Sequence, residues 1–274
     1  MYSPDLSHGR VVQKSIKQPQ RFHWSVIAAI AFVSVCPLPA TGALDPAPDG
    51  GYPNNNTAEG SGALNSLTSG GHNTAVGTFA LTNTTTPYSN TAIGANAMQN
   101  NTTGAGNTAT GAAALLQNTG GSGNTATGDS ALYNNRTGDA NTAIGSSALF
   151  SNTVGLQNTA TGVAALYTNS NGTNNAATGY RALYNNTSGQ SNTAMGAQAL
   201  TFNTTGSNNT GTGIDALYSN TTGHDNTAGG VNSLLANSSG YFNTASGGYA
   251  LYTNTAGHDN TGEGFQSLFA IPAH

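Results

Sequence analysis

Residues able to carry chemistry are few in this sequence. The segment Gly-His-Asp-Asn-Thr occurs twice and places His224 beside Asp225 and His258 beside Asp259. A histidine oriented by a carboxylate is a recurring part of metal sites and of acid–base catalysis. The other candidate carboxylates are scattered along the chain: Asp129, Asp139, Asp215, Glu59 and Glu263. Whether any of these groups act together depends on the elements that carry them.

An internal repeat sets the spacing of these residues. The motif N-T-A-x-G, with minor variants, begins at thirteen asparagines, each 17 residues after the last: Asn56, Asn73, Asn90, Asn107, Asn124, Asn141, Asn158, Asn175, Asn192, Asn209, Asn226, Asn243 and Asn260. The unit reads N-T-A-x-G-x-x-A-L-x-x-N-T-T-G-x-x, and its positions are numbered 1–17 below. A period kept without insertion or deletion predicts units that all stack in the same way, as in a solenoid.

The length and glycine content of the unit favour β-structure. A pair of helices with its turns needs 30 or more residues, and each interior glycine costs a helix about 1 kcal/mol. We therefore predict an all-β fold, a parallel β-solenoid or β-roll of thirteen 17-residue coils over residues 56–270. Coils stacked about 4.8 Å apart would make a rod of roughly 60 Å.

The recurring residues have predicted roles in such a coil. Gly at positions 5 and 15 is expected to end two short extended segments and to supply corners with positive φ. Asn at positions 1 and 12 tolerates the same corners and can form hydrogen-bonded ladders along the rod. Successive residues of a strand point to opposite faces, so positions 8, 9 and 10 cannot all enter one narrow interior if they are extended. Either this segment turns helically or a second chain covers it. We favour the second chain, and a homotrimer.

The stacked coils separate the chemical groups. His224 and His258 would lie two coils, about 9.5 Å, apart, which is too far to share a metal ion. A lyase or glycosidase would need two or three carboxylates, or a Lys/Arg cluster, gathered at equivalent positions of neighbouring coils, and the sequence has no such cluster. We predict no catalytic, metal-binding or cofactor-binding residue, and no enzyme. Glu59 and Glu263 occupy position 4 of the first and last copies, where like charges either discourage end-to-end stacking or are simply surface residues.

Charge excludes two classes of partner. Charged residues make up 6% of the chain, and from Leu44 onward two basic residues face nine acidic ones, a net charge of −7. Nucleic-acid binding and polybasic membrane binding both need clustered Lys and Arg, so neither is expected. The single cysteine, Cys36, rules out an intrachain disulfide.

The first 43 residues differ from the rest. A basic stretch precedes twelve mostly apolar residues, 24–35, too few to span a bilayer but suited to a secretory signal. We predict a signal peptide over 1–43 with cleavage after Ala43 (Ala40 as the second choice), a lead-in over 44–55 and a tail over 271–274. A lipoprotein acylated at Cys36 and an uncleaved anchor are the alternatives. The mature chain is then secreted or on the cell surface, without a membrane span.

The recurring N-T-A-x-G-x-x-A-L resembles the head repeats of YadA-type trimeric autotransporter adhesins. It also resembles repeats that precede chaperone domains in tail-fibre-like proteins. The similarity covers residues 56 to about 270, although the adhesin unit is usually shorter than 17 residues. The resemblance implies three β-rolls packed side by side and a function in adhesion. No stalk or anchor follows the last repeat in this sequence, so we expect any membrane attachment to come from elsewhere.

These observations predict a non-catalytic adhesive or structural fibre head that binds glycan, matrix or host surfaces through many weak contacts. The candidate ligand-binding residues are aromatic or basic residues at variable positions: Tyr180, Arg181, Tyr241, Phe242 and Tyr249. They would equally serve a protomer interface. The alternatives are a fibre spacer, an enzyme on a β-helix and a single-chain solenoid that binds ice or mineral. Thr-Ala-Thr in several copies favours ice, whereas other residue types at position 4 interrupt that array.

Overall fold

The computed structural model describes residues 52–270, which form a parallel β-solenoid of thirteen coils, as predicted. Each coil carries one three-residue strand at repeat positions 2–4. The strands are β1 (Thr57–Glu59), β2 (Thr74–Val76), β3 (Thr91–Ile93), β4 (Thr108–Thr110), β5 (Thr125–Thr127), β6 (Thr142–Ile144), β7 (Thr159–Thr161), β8 (Ala176–Thr178), β9 (Thr193–Met195), β10 (Thr210–Thr212), β11 (Thr227–Gly229), β12 (Thr244–Ser246) and β13 (Thr261–Glu263). A 3-10 turn, Pro53–Asn55, precedes them. The predicted signal peptide, most of the lead-in and the tail lie outside the described residues.

The strands form one sheet in sequence order. Every strand pairs in parallel with the next, and each residue pairs with the residue one repeat later, as Thr108 does with Thr125. The prediction of two extended segments per repeat is wrong, because the rest of each described coil is built of turns. One three-residue strand per coil is enough to hold neighbouring coils together, because the turns are also hydrogen-bonded from coil to coil.

Backbone hydrogen bonds link the turns of neighbouring coils. The Leu81 N–H at position 9 donates to the Ala97 carbonyl of the next coil, with N and O 3.0 Å apart. The Phe79 N–H at position 7 donates to the Ser61 carbonyl of the previous coil, at 2.9 Å. The turns therefore satisfy buried backbone groups that a sheet would otherwise have to pair.

Left-handed residues bend each coil sharply enough to bury two consecutive side chains. Gly at position 5 has φ between 102° and 141°, and non-glycine residues at positions 7, 9 and 17 have φ near 50–60°. At position 9, Leu132 has φ 52°, and both Leu132 and its neighbour Ala131 are fully buried within the one chain. Positions 8 and 9 therefore need no second chain to cover them, because the positive φ of position 9 breaks the strand-like alternation. The side chains of position 10 stay half-buried at the surface, so the argument that favoured a covering chain holds for neither of the two buried positions.

Two asparagine ladders run through the interior, as predicted, although neither lies at a positive-φ corner. In the position-1 ladder, the Asn107 amide donates to the Gly121 carbonyl at 2.8 Å. In the position-12 ladder, the Asn118 amide donates to the same carbonyl at 2.9 Å and to Asn101 Oδ1 at 2.7 Å. One carbonyl at position 15 thus accepts from both ladders, and no buried side-chain N or O among the described residues lacks a partner.

Position 15 needs glycine for space. The predicted positive φ is wrong, since none of these glycines has φ in the left-handed region. A Cβ added to Gly121 would lie 2.6 Å from Asn118 Oδ1 and 2.7 Å from Asn135 Nδ2, inside van der Waals contact. Pro87 takes the place of this glycine in a coil whose position 12 is Thr84, so one of the two asparagine side chains that would crowd a Cβ is missing there.

Asn135→Ala should destabilise the solenoid by about 2–4 kcal/mol. The Asn135 amide donates to Asn118 Oδ1 and to the Gly138 carbonyl, and its oxygen accepts from Asn152. Removing it leaves the buried Asn118 Oδ1 without its donor, and the Gly138 carbonyl and the Asn152 amide each lose one of their two hydrogen bonds. An unpaired buried group costs about 1–3 kcal/mol, and a lost hydrogen bond about 0.5–1.5 kcal/mol. Thermal unfolding followed by circular dichroism measures the loss. The control is Asn134→Ala, because the adjacent Asn134 side chain is partly exposed and makes no side-chain hydrogen bond. Equal melting temperatures for the two variants would contradict the ladder argument.

Gly121→Ala and Gly120→Ala should have opposite effects on the same unfolding midpoint. A Cβ at Gly121 overlaps both asparagine side chains, and overpacking of this kind costs about 1–3 kcal/mol. At Gly120 the nearest atom to an added Cβ is Thr103 Oγ1 at 3.4 Å, an ordinary contact. Alanine there restricts the unfolded chain and should stabilise by about 0.4–1 kcal/mol. A neutral Gly121→Ala would show that position 15 has room for a side chain.

Candidate binding surfaces

The outer side of the sheet presents two columns of side chains. Positions 2 and 4 of each strand point outward and are exposed or half-buried, while position 3 between them is buried. We call these two columns over β1–β13 the threonine face. Position 2 is Thr in every strand except β8, which has Ala176, and position 4 is Thr in five strands: Thr110, Thr127, Thr161, Thr178 and Thr212. Between β2 and β12 the face carries no charged residue.

A second surface runs along position 6, on the far side of the position-5 glycines. From the seventh coil onward, large apolar residues recur there: Val163, Tyr180, Ile214, Val231 and Phe265, each at least 44% exposed. We call this set the apolar column. Ala197 and Gly248 occupy position 6 in the intervening coils, so no polar side chain interrupts the column. An exposed apolar stripe of this kind is typical of a protein–protein contact.

Aromatic residues at position 10 stack on one another along the rod. Tyr133, Phe150, Tyr167 and Tyr184 have successive ring centroids 5.1 Å apart and interplanar angles of 5–15°. Each inner ring has a neighbouring ring on both faces, and the rings are half-buried. Because their faces are occupied, these rings are suited to stabilising the stack rather than to receiving a ligand.

The two Gly-His-Asp segments meet on a different corner. His224 and His258 stack on Tyr241 from either side, with ring centroids 5.1 Å and 4.7 Å from it. Each imidazole Nδ1 lies 2.7 Å from the Oδ2 of the following aspartate. The histidines are thus two coils apart, as predicted. No three His, Cys, Asp or Glu side chains among residues 52–270 are placed to hold a metal ion.

The structure brings some candidate ligand-binding residues together and separates others. Arg181 lies over the rings of Tyr180 and Tyr184, at 5.3 Å and 5.1 Å. Tyr241 packs edge-to-face with Phe242, 5.5 Å away at the position 16–17 corner. These two pairs are not one site.

Tyr249 stands apart from both pairs, near the last coil. Its ring contacts Tyr252 and Phe265, at 5.6 Å and 5.9 Å. It lies four coils, roughly 19 Å, beyond the coil of Tyr180. Three of the five predicted residues are exposed, Tyr241 and Tyr249 are half-buried, and only Tyr180 lies on one of the two continuous surfaces. The sequence signal for those surfaces is the column that one repeat position forms over successive copies.

Glu59 and Glu263 lie in β1 and β13, the outermost strands of the sheet, as the repeat numbering predicts. Both belong to the threonine face, and they are its only charged residues. The part of the chain that the structure describes contains no helix long and apolar enough to cross a membrane.

Phe150→Leu should lower the free energy of unfolding by about 1–3 kcal/mol. Leucine keeps much of the apolar surface but loses two stacked neighbours, each worth about 0.5–1.5 kcal/mol. Tyr180→Leu is the control, because Tyr180 is 48% exposed and contacts Arg181 rather than another ring. Chemical denaturation gives the free energy of unfolding of both variants, and we expect the larger loss for the Phe150 variant. A Phe150 variant as stable as the control would show that the stack adds nothing to stability.

No family model, no characterised protein and no solved structure matches this chain. The solenoid of residues 52–270 does not by itself identify a YadA-type repeat, so that resemblance rests on the recurring residues alone.

Proposed function

We propose that this chain is a secreted, non-catalytic rod that binds extended surfaces through many weak and nearly identical contacts. The observation that carries the proposal is the in-register sheet, which repeats the same outward residues at every coil. Contacts on one rigid body combine by avidity, so that linked sites exceed a single contact by about 10²–10⁴-fold in affinity. Such a rod acts as an adhesin head or a structural fibre.

The absence of a reactive arrangement among the described residues supports a binding role. The histidines of the two His–Asp pairs are 46% and 54% exposed, and the pairs lie on separate coils. The pocket at the first coil, with a volume of about 290 Å³, is lined by neutral residues, among them Tyr52, Leu64 and Leu67. None of its lining residues is acidic, basic or a thiol.

Self-association into a homotrimer is part of the proposal, now supported by the apolar column. The original argument from positions 8–10 fails, since one chain buries Ala and Leu by itself. The apolar column still exposes Val163, Ile214 and Val231 to solvent over several coils. Covering such a stripe with another copy removes apolar surface from water at about 25 cal/mol per Å².

Light scattering during size exclusion should give the mature protein a molar mass of three chains. The triple variant Val163→Ser/Ile214→Ser/Val231→Ser should have the molar mass of a single chain. Serine removes the apolar groups without adding charge, so only the driving force for association changes. The control is Val154→Ser, an equally exposed valine at position 14. A monomeric native protein would overturn the trimer and leave surface binding to a single rod. An unchanged mass for the triple variant would place the interface elsewhere.

Binding itself is tested by co-sedimentation of the full chain with insoluble glycans, with extracellular-matrix protein and with ice. Retention on at least one of these surfaces, together with release by a soluble fragment of the same material, is the expected outcome. A chain that sediments with none of them would overturn the adhesive role and leave the rod as a spacer.

A further inference from the structure

We infer that the surface bound by the threonine face is ice. This inference rests on the proposed function, because it names the extended surface that the rod binds. Ice presents water molecules at fixed positions that repeat in two dimensions. A protein surface recognises it by offering matching hydroxyl and methyl groups that also repeat in two dimensions and hold their positions.

The hydroxyls of the threonine face are free to bond to a ligand. None of the threonines at positions 2 and 4 makes a side-chain hydrogen bond within the described chain. Threonines at position 13 behave differently: Thr119 Oγ1 donates to the Arg136 carbonyl at 3.0 Å, and Thr187 Oγ1 to the Thr204 carbonyl at 3.0 Å. The position-13 residues are explained by the fold, whereas the outward hydroxyls of the sheet have no internal role.

The spacing of the face is regular in both directions. Along the rod, parallel strands repeat about every 4.8 Å, and within a strand positions 2 and 4 are about 6.6 Å apart. The position-10 rings report how uniformly the coils stack: three successive centroid distances are all 5.1 Å, and the ring planes turn by at most 15°. The pairing of every strand in register with the next places equivalent residues in two columns along the sheet, as a crystalline ligand requires.

The centre of the face is dense in threonine. From β4 to β10, eleven of the fourteen outward positions are Thr, and the others are Ile144, Ala176 and Met195. Isoleucine shares with threonine a branched Cβ that carries a methyl group, so its shape on the sheet is similar. Within β4–β10, the substitutions that interrupt the Thr-Ala-Thr motif therefore remove some hydroxyls but add no charge and no ring.

The chemistry of the face disfavours other extended ligands. Binding to an ionic mineral needs carboxylates or bases, and β2–β12 carry none at these positions. Polysaccharide binding uses exposed aromatic faces, which are absent from positions 2 and 4. The only charges on the face are Glu59 and Glu263, in the two outermost strands.

The test compares two double variants of the full chain. Thr127→Lys/Thr178→Lys places two flexible cations on exposed sites of the face, in β5 and β8. Thr137→Lys/Thr205→Lys places the same charges at position 14, where both threonines are exposed and make no side-chain hydrogen bond. Circular dichroism first shows that both variants keep the native spectrum. Partition into slowly growing ice and the thermal hysteresis gap are then measured for all three proteins.

The native chain and the position-14 variant should enter the ice and separate the freezing and melting points. The face variant should fall to the level of a protein that does not bind ice. Equal partition of the two variants, or a native chain excluded from ice, would overturn the inference. If the native chain is excluded from ice but sediments with a glycan or matrix surface, the proposed function stands without it. A native chain that binds neither ice nor any glycan or matrix surface would overturn both the inference and the proposed function.

Discussion

The carbonyl of repeat position 15 is the point on which the coil depends. It accepts a hydrogen bond from the position-1 asparagine and another from the position-12 asparagine of the same coil, as Gly121 does from Asn107 and Asn118. Each amide also bonds to the equivalent amide one coil away. A single inserted residue would break hydrogen bonds in both ladders at once. Each buried amide left without a partner costs about 1–3 kcal/mol. This explains why thirteen copies keep a 17-residue spacing without exception.

The ladders also make possible a backbone that local preference opposes. Three positions in each coil hold residues at positive φ that are usually not glycine, among them the leucine of position 9. Left-handed residues of this kind cost of order 1–3 kcal/mol each and persist only where the surroundings fix them. The positive φ has a structural benefit, because it allows two consecutive side chains, Ala131 and Leu132, to be buried inside one narrow coil. The result is a rigid rod whose outer columns inherit the regularity of its interior.

The period, the parallel solenoid, the asparagine ladders and the glycine corner at position 5 all follow from the sequence. The left-handed conformation of the position-9 leucine does not follow from the sequence. Leucine disfavours positive φ, and only the packing of the stacked coils enforces it. Strand-like alternation at positions 8–10 therefore favoured a covering chain that positions 8 and 9 do not need. The glycine of position 15 is not at the positive-φ corner that we predicted, and one coil of the sequence already indicates this: Pro87 occurs where position 12 is Thr84. A proline fixes φ near −65°, which already excludes a positive-φ corner at that position. The surfaces were harder to predict, since they are columns that appear only when equivalent positions are aligned.

The recurrence of threonine at position 2 separates structural from functional constraint. The interior demands asparagine, glycine, alanine and leucine, and each of these has a hydrogen bond or a packing contact that explains it. A strand residue facing solvent demands only β-propensity, which valine, isoleucine or tyrosine would satisfy equally well. Position 2 is nevertheless threonine in twelve of thirteen coils, and its hydroxyl makes no hydrogen bond to any side chain or backbone group within residues 52–270. Position 6, equally exposed, varies from serine to phenylalanine. A group kept constant where the fold does not use it points to something outside the fold, and a row of hydroxyls and methyls at fixed spacing suits a ligand that is itself a lattice.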